Sequence, residues 1–171
     1  AGTFAAIKAR ERGVDVILVD KGYVSKSGST NAAGGYFLVF NPEWGHHLNA
    51  WMEQVNTAGE YLNNRDWTEI VLKDSYEVYQ DLVSWGVEFV KVDGRLSKHL
   101  NPPAIESLNM WRKKYTPVMR KKTLATGVKI LDRIMITELL KEDGNVVGAV
   151  GFHTRTGDLC VFKAKATIIA A

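Results

Sequence analysis

The apolar positions near the start of the chain change period once. From Thr3 to Arg12, Phe4, Ala5, Ile7 and Ala9 precede a charged end, and Gly13 follows where a helix stops on a left-handed residue. The spacing predicts a helix. Val14 to Asp20 is then a nearly continuous β-branched and apolar run, the pattern of a strand buried on both faces. Lys21 to Gly35 is a long stretch of small residues that no packed element favours. Helical signals dominate the middle. Leu48 to Tyr61 reads as one helix. A second opens at Asp66-Trp67-Thr68-Glu69, which has capping-box spacing, and carries Ile70, Val71, Val78, Leu82 and Val83 as its apolar stripe up to Gly86. Phe89 to Leu96 reads as a strand and turn, Asn101-Pro102-Pro103 as a loop, and Tyr115 to Thr126 as a basic helix. Beyond it, Asp143-Gly144 and Thr156-Gly157-Asp158 are hairpin turn signals separating Ile134–Leu140, Val146–Phe152 and Leu159–Phe162. Three short strands joined this way make a meander, and Lys163 to Ile169 is expected to re-enter a buried strand.

A helix opening on Ala1-Gly2, followed by a buried strand ending in an acid, matches the second and third elements of a dinucleotide-binding βαβ unit. There the glycines of G-x-G-x-x-G let the backbone approach a pyrophosphate at the helix N-terminus. An acid about 20 positions on takes the ribose hydroxyls. Gly2 would be the last glycine and Asp20 the ribose acid. The first strand and first two glycines are not in the sequence, and the last strand ends on Ala170-Ala171. Both ends are therefore expected to be boundaries within a longer polypeptide. Half a fingerprint does not decide the matter, because a helix followed by a buried strand occurs throughout α/β proteins.

Composition narrows the classes. The 171 residues are 46% hydrophobic and 24% charged, as in a globular domain. A net charge of +3 is too even to point to nucleic acid. Arg112, Lys113, Lys114, Arg120, Lys121 and Lys122 crowd one stretch, read as a solvated helix face, with a docking patch as the alternative. The single cysteine, Cys160, excludes an internal disulfide and is expected to be a small core residue. No apolar run reaches the roughly 18–20 residues of a membrane span, and no signal-peptide pattern opens the chain, so a cytoplasmic location is expected.

The residues after the acid carry a resemblance. Asp20-Lys21, Ser27-Gly28-Ser29-Thr30 and Ala32-Ala33-Gly34-Gly35 resemble the flavin-embracing segment of the succinate dehydrogenase/fumarate reductase flavoproteins, with adenylylsulfate reductase α subunits and L-aspartate oxidases as relatives. The order Gly127–Arg133, Ile134–Leu140, Asp143-Gly144, Val146–Val150 and Thr156-Gly157-Asp158 is similar to the family's strand and meander. The resemblance implies an α/β fold: an FAD-binding, Rossmann-like parallel sheet lacking its first strand, an antiparallel β-meander and a helical insertion. It divides the chain into a nucleotide- and flavin-binding segment (1–35), a mainly helical excursion (36–122), and the meander with its return strand (123–171). It implies FAD as cofactor and hydride transfer between flavin N5 and a small acidic substrate in the intact protein, with a possible partner in an electron-transfer (iron–sulfur) subunit. By the same resemblance, Ser25, Ser27, Gly28, Ser29, Ala33, Gly34 and Gly35 line the flavin side, with Lys21 beside them. Ile136 offers backbone to the adenine, and Ala170-Ala171 approach the diphosphate. Gly28 stands where some members carry a histidine bonded to the flavin, which implies non-covalent FAD.

No catalytic residue is assigned, because the family's proton donor and substrate-binding residues lie mainly in segments outside this chain. Arg112 and Arg120 are candidates without a placement. His46-His47 is read as non-metal, since adjacent side chains diverge and no Cys/His cluster accompanies them. The five tryptophans and six tyrosines are read as core packing rather than stacking platforms. Two other classes stay open: an NAD(P)-dependent oxidoreductase domain, and a non-catalytic docking or electron-transfer subunit. Without the first strand, the chain on its own is expected to bind FAD weakly or not at all, and to be inactive.

Overall fold

The computed structural model describes residues 1–32, 35–101 and 105–170. In chain order the elements are α1 (Gly2–Glu11), β1 (Ile17–Asp20), β2 (Tyr36–Leu38), α2 (Leu48–Ala58), α3 (Arg65–Ser84), β3 (Lys91–Val92), β4 (Arg95–Leu96), β5 (Lys98–Asn101), β6 (Ile105–Asn109), α4 (Arg112–Ala125), β7 (Lys129–Asp132), β8 (Ile134–Glu142), β9 (Asn145–His153) and β10 (Leu159–Lys163). The chain divides into two units, Ala1–Ala32 with Thr116–Ala171, and Ala33–Tyr115.

In the first unit β1 and β7 pair in parallel, Ile17 with Lys129 through Asp20 with Asp132. Two apolar runs thus stop on aspartates at the same level of one sheet. The meander follows as an antiparallel sheet in the order β10-β9-β8. Asp143 and Gly144 both take positive φ at the β8–β9 turn, 48° and 80°. This is the backbone that matches the twist of a two-residue hairpin. The buried residues here include Ala6 and Ile7 of α1, Met119 and Thr123 of α4, Val24, Val128, Ile134 and Ala149.

Three expectations fail in this unit. β1 begins at Ile17 rather than Val14, and it is not buried on both faces: Ile17 is exposed and the rest of β1 half-buried. Among the described residues β1 has a single ladder partner, and a parallel strand needs neighbours on both edges and covers on both faces to be enclosed. Residues 164–170 form no strand, and Ile168 and Ile169 are 70% and 71% exposed. Their β-branched sequence favours extension, but extension without a ladder partner yields no strand. Cys160 is also no core residue. It lies half-buried on β10, an edge strand whose alternate positions Leu159 and Val161 are exposed.

The second unit is less helical than the pattern suggested. A three-stranded antiparallel sheet, β2-β6-β5, and the β3–β4 hairpin accompany α2 and α3. Its core is Phe40, Trp51, Met52 and Leu72, with Leu38, Leu48 and Val55 packed against it. Helix α3 is capped by Asn64, upstream of Asp66. The Asn64 side-chain oxygen accepts from Trp67 N at 3.0 Å, while Glu69 pairs with Lys73 instead of closing a capping box. The helix buries Leu72, Ser75 and Leu82, so of the expected stripe Leu82 is buried and Val78 half-buried, while Ile70, Val71 and Val83 are exposed. Trp51 packs in the core, whereas Trp67 and Trp111 are 67% and 54% exposed. Trp67 edges an open cleft of about 250 Å³ with Leu38, Val55, Val71 and Leu72. Among the described residues no helix is long and apolar enough to cross a membrane.

Candidate functional site

The site is built at the carboxyl ends of β1 and β7, where open parallel sheets place their ligands. Asp20 closes β1 and turns its carboxylate onto the following loop. Oδ1 accepts from Gly22 N at 2.6 Å and lies 2.8 Å from the Ser27 hydroxyl, whose one proton is shared with the Tyr23 carbonyl oxygen, also at 2.8 Å. The backbone supports the same shape, with Lys26 N and Ser27 N both donating to Tyr23 O, at 2.8 and 2.9 Å. Two of the expected residues, Asp20 and Ser27, are therefore in direct contact. Lys21 follows Asp20 and is exposed, and Ser29 opens a 3-10 turn over Ser29–Asn31.

Asp132, the register partner of Asp20, holds the next stretch. Its Oδ1 accepts from Val24 N at 2.8 Å, and its carboxylate receives both arms of the Arg120 guanidinium, at 2.7 and 3.1 Å. Arg120 Nη1 also donates to Val24 O at 3.0 Å. Both polar groups of Val24 are thus bound by one ion pair, and its side chain is buried. Arg133 adds a third tie. Its N–H donates to Gly22 O at 2.8 Å, and its guanidinium reaches the Tyr23 hydroxyl at 2.6 Å.

The paired Arg120 guanidinium, with the Val24 N–H and Arg133 nearby, holds the Asp132 carboxyl below the ordinary carboxylate range, and burial opposes this only partly. A depressed folded pKa contributes stability that is complete above the unfolded value and is lost as pH falls through the folded one. Amide exchange at Val24 is accordingly expected to stay protected through the ordinary carboxylate titration range and to open only at more acid pH. Exchange read by mass spectrometry across a pH series checks this, and opening at the usual carboxylate pH would contradict it.

The loop then presents two features suited to a ligand. Ser25 is a non-glycine residue at φ 66°, and its hydroxyl oxygen is buried without a hydrogen-bond partner among the described residues. Strained backbone and an unsatisfied buried hydroxyl are costly, and persist where surrounding structure imposes them for a purpose. Gly28 has φ 85° and ψ 173°, a region open essentially to glycine alone, and space for a side chain lies empty around it.

The remaining expected residues fall as follows. Gly2 is the first residue of α1, whose opening turn has neither a side-chain cap nor an acid. A Cβ on Gly2 would stand 3.4 Å from Ala170 Cβ, so Ala170 lies against the start of α1. Ile136 sits on β8, paired with Gly151 just before a bulge. Gly35 belongs to the second unit, where its carbonyl accepts from Met110 N at 2.8 Å. Ala33, Gly34 and Ala171 lie outside the described residues.

A family model described as "FAD binding domain" matches residues 1–171. The chain belongs to that family. FAD is accordingly its cofactor, and the orphaned Ser25 hydroxyl and the glycine-only backbone at Gly28 fit a dinucleotide of that kind. The chain is 28% identical, over all of its length, to one of the subunits of the fumarate reductase (CoM/CoB) of Methanothermobacter marburgensis, of which it covers 33%. It is 30% identical over 89% of its length to the L-aspartate oxidase of Pyrococcus abyssi, covering 35% of that protein. Its fold matches the Mycobacterium smegmatis Sdh1 complex with a TM-score of 0.83 at 23% identity, over 96% of this chain and 31% of that one. This chain therefore spans about a third of the length of these relatives, some of which are named as subunits or complexes.

Sequence reasoning missed Asp132, Arg133, Tyr23 and Val24, and it gave Arg120 no placement. One signal was present: Ile17-Leu18-Val19-Asp20 and Lys129-Ile130-Leu131-Asp132 are two apolar runs stopped by aspartate. Nothing in either run shows that they lie side by side. The basic stretch also resolves. Lys114 pairs with Glu88 at 2.5 Å, Arg120 with Asp132, and Lys122 with Glu11 at 3.1 Å. Cations matched within the chain are a weak basis for a docking patch. The Arg112 side chain lies outside the described structure. His46 stacks on Trp51 with ring centroids 4.4 Å apart and accepts from Asn41 N at 3.1 Å, and burial lowers its pKa. Among the described residues no group of three or more His, Cys, Asp or Glu could hold a metal ion.

Proposed function

We propose that this chain is the FAD-binding part of a flavin-dependent oxidoreductase that passes hydride between flavin N5 and a small acidic substrate. The observation that carries the reading is the loop after β1, folded on the Asp20 and Asp132 carboxylates so that Ser25 keeps an unpartnered hydroxyl. Bound FAD supplies the redox chemistry, and the residues here bind and orient it. The N–H groups opening α1 receive the pyrophosphate, with Gly2 and Ala170 admitting it closely. Asp20 accepts from the ribose hydroxyls. Ser25, Ser27, Gly28 and Ser29, with Ala33, Gly34 and Gly35, line the flavin side. Ile136 offers backbone to the adenine. In this reading residues 1–35 bind nucleotide and flavin, 36–122 form an excursion, and 123–171 carry the adenine side. The substrate's acidic groups and the proton donor meet residues of other segments. A cytoplasmic location and an iron–sulfur electron partner belong to the same reading, the partner motivated by a relative named as a subunit of a larger assembly.

FAD is held without a covalent bond, since Gly28 lacks a nucleophile and its backbone disfavours any side chain. The test is the visible spectrum of the full-length protein carrying this domain, before and after acid precipitation. Flavin bands that move wholly to the supernatant are expected. Flavin in the pellet would overturn the non-covalent assignment, and a colourless protein that cannot be reconstituted with FAD would overturn the oxidoreductase reading.

A further inference from the structure

The Arg120–Asp132 pair is not among the residues expected to touch the cofactor, yet both polar groups of a buried loop residue depend on it. Val24 gives its N–H to Asp132 Oδ1 at 2.8 Å and receives Arg120 Nη1 at its carbonyl at 3.0 Å. The two partners come from α4 and β7, regular elements far from the loop in sequence. Ser25 follows directly, at φ 66° with its hydroxyl unpartnered. A residue in that conformation relaxes unless its neighbours fix it. On the amino side the fixing contacts are those of Val24, and on the carboxyl side they are Ser27 to Asp20 and Tyr23.

We propose that Arg120 and Asp132 are positioning residues that clamp the Val24 peptide, so that Ser25 and the loop after it are already in the cofactor-binding shape before FAD arrives. The inference rests on the FAD reading above. The planar guanidinium is suited to the task because its separate N–H groups serve the carboxylate and the carbonyl at once. Lysine has the charge but not the fork. Preorganisation of this kind acts on affinity, by removing the ordering cost from the binding step. It leaves the number of contacts to FAD unchanged.

The test uses the full-length protein with FAD removed, and reads the FAD Kd by quenching of flavin fluorescence beside the thermal midpoint of the apoprotein. Arg120→Ala is expected to raise the Kd at least tenfold and Arg120→Lys to recover only part of it. Lys121→Ala, an exposed cation on the same helix, is expected to leave the Kd unchanged. Asp132→Asn is expected to weaken binding and to speed exchange of the Val24 and Ser25 amides while those of β1 and β7 stay protected. If Arg120→Ala does not fold, Arg120→Lys carries the test, and a wild-type Kd in it would overturn the clamp. A Kd that moves only in proportion to lost apoprotein stability would overturn it too. Tight binding by the wild type with no change in the variants sinks the clamp alone, whereas a wild type that binds no FAD sinks the FAD reading and this role with it.

Discussion

Gly151→Ala is expected to lower the thermal stability of this domain more than any other single methyl group added to it, with Gly148→Ala close behind. A Cβ on Gly151 would stand 2.0 Å from the Met135 carbonyl oxygen and 2.8 Å from Ile136 Cα. A Cβ on Gly148 would stand 1.9 Å from the Phe162 carbonyl oxygen. In both cases the obstruction is backbone of a neighbouring strand, which has no rotamer to change. The strands must separate, and the ladder bonds on that side go with them. Overpacking that side chains can absorb costs about 1–3 kcal/mol. Here we expect the upper end, about 3 kcal/mol or more, which for a domain of this size is a fall in Tm of roughly 6–12 °C. The measurement is a reversible melt of the wild type and both variants. A shift within a degree or two would mean that β8 and β10 can part from β9 at little cost, and that the meander is looser than its register implies.

Those glycines also show where sequence reading ran short. Val146 to Phe152 was legible as a strand from its apolar content and its turns, and so was the meander. The two glycines inside it carried a further message, since glycine within a strand marks close approach of another backbone. Which backbone approaches depends on register, and β8 meets β9 with irregularities at Ile136/Glu138 and Leu140/Lys141 that no period reveals. Helix α1, the strand ending in Asp20 and the loop after it were legible because their signals are local: small residues, a β-branched run, glycine and hydroxyl punctuation. The sheet β2-β6-β5 was not, because its strands are short and set among helices with far stronger periodicity. The start and part of the stripe of α3 were misjudged. Asp66 and Glu69 have the right spacing, but Asn64 caps Trp67 N, and of the expected stripe Leu82 is buried and Val78 half-buried while Ile70, Val71 and Val83 are exposed. Of the site, the residues expected to touch the cofactor were named from Gly2 and Asp20 and, for the rest, from the family resemblance. The pair that holds their loop was not, because Asp132 and Val24 are 108 positions apart.

Asp20→Ala is expected to cost the most in cofactor affinity, because the same carboxylate has two duties. Oδ1 closes the loop through Gly22 N and the Ser27 hydroxyl. In the FAD reading, Oδ2 is left for the ribose. Hydrogen bonds to a charged group contribute about 1.5–3 kcal/mol each, and each 1.4 kcal/mol is about tenfold in Kd. Loss of the loop bonds together with a ribose contact should therefore raise the FAD Kd of the full-length protein by about a hundredfold or more. Ser27→Ala separates the duties. It removes one loop bond and leaves the carboxylate in place, so a several-fold rise is expected. The pair of titrations has three readable outcomes. A large loss in Asp20→Ala with a small one in Ser27→Ala assigns the carboxylate to the ribose as well as to the loop. Equal losses would mean that Asp20 acts through the loop alone and that the ribose is held elsewhere. Unchanged affinity in both would remove the carboxyl end of β1 from the site, since no dinucleotide bound there could be indifferent to the loss of the acid that closes the strand and shapes the loop beside it.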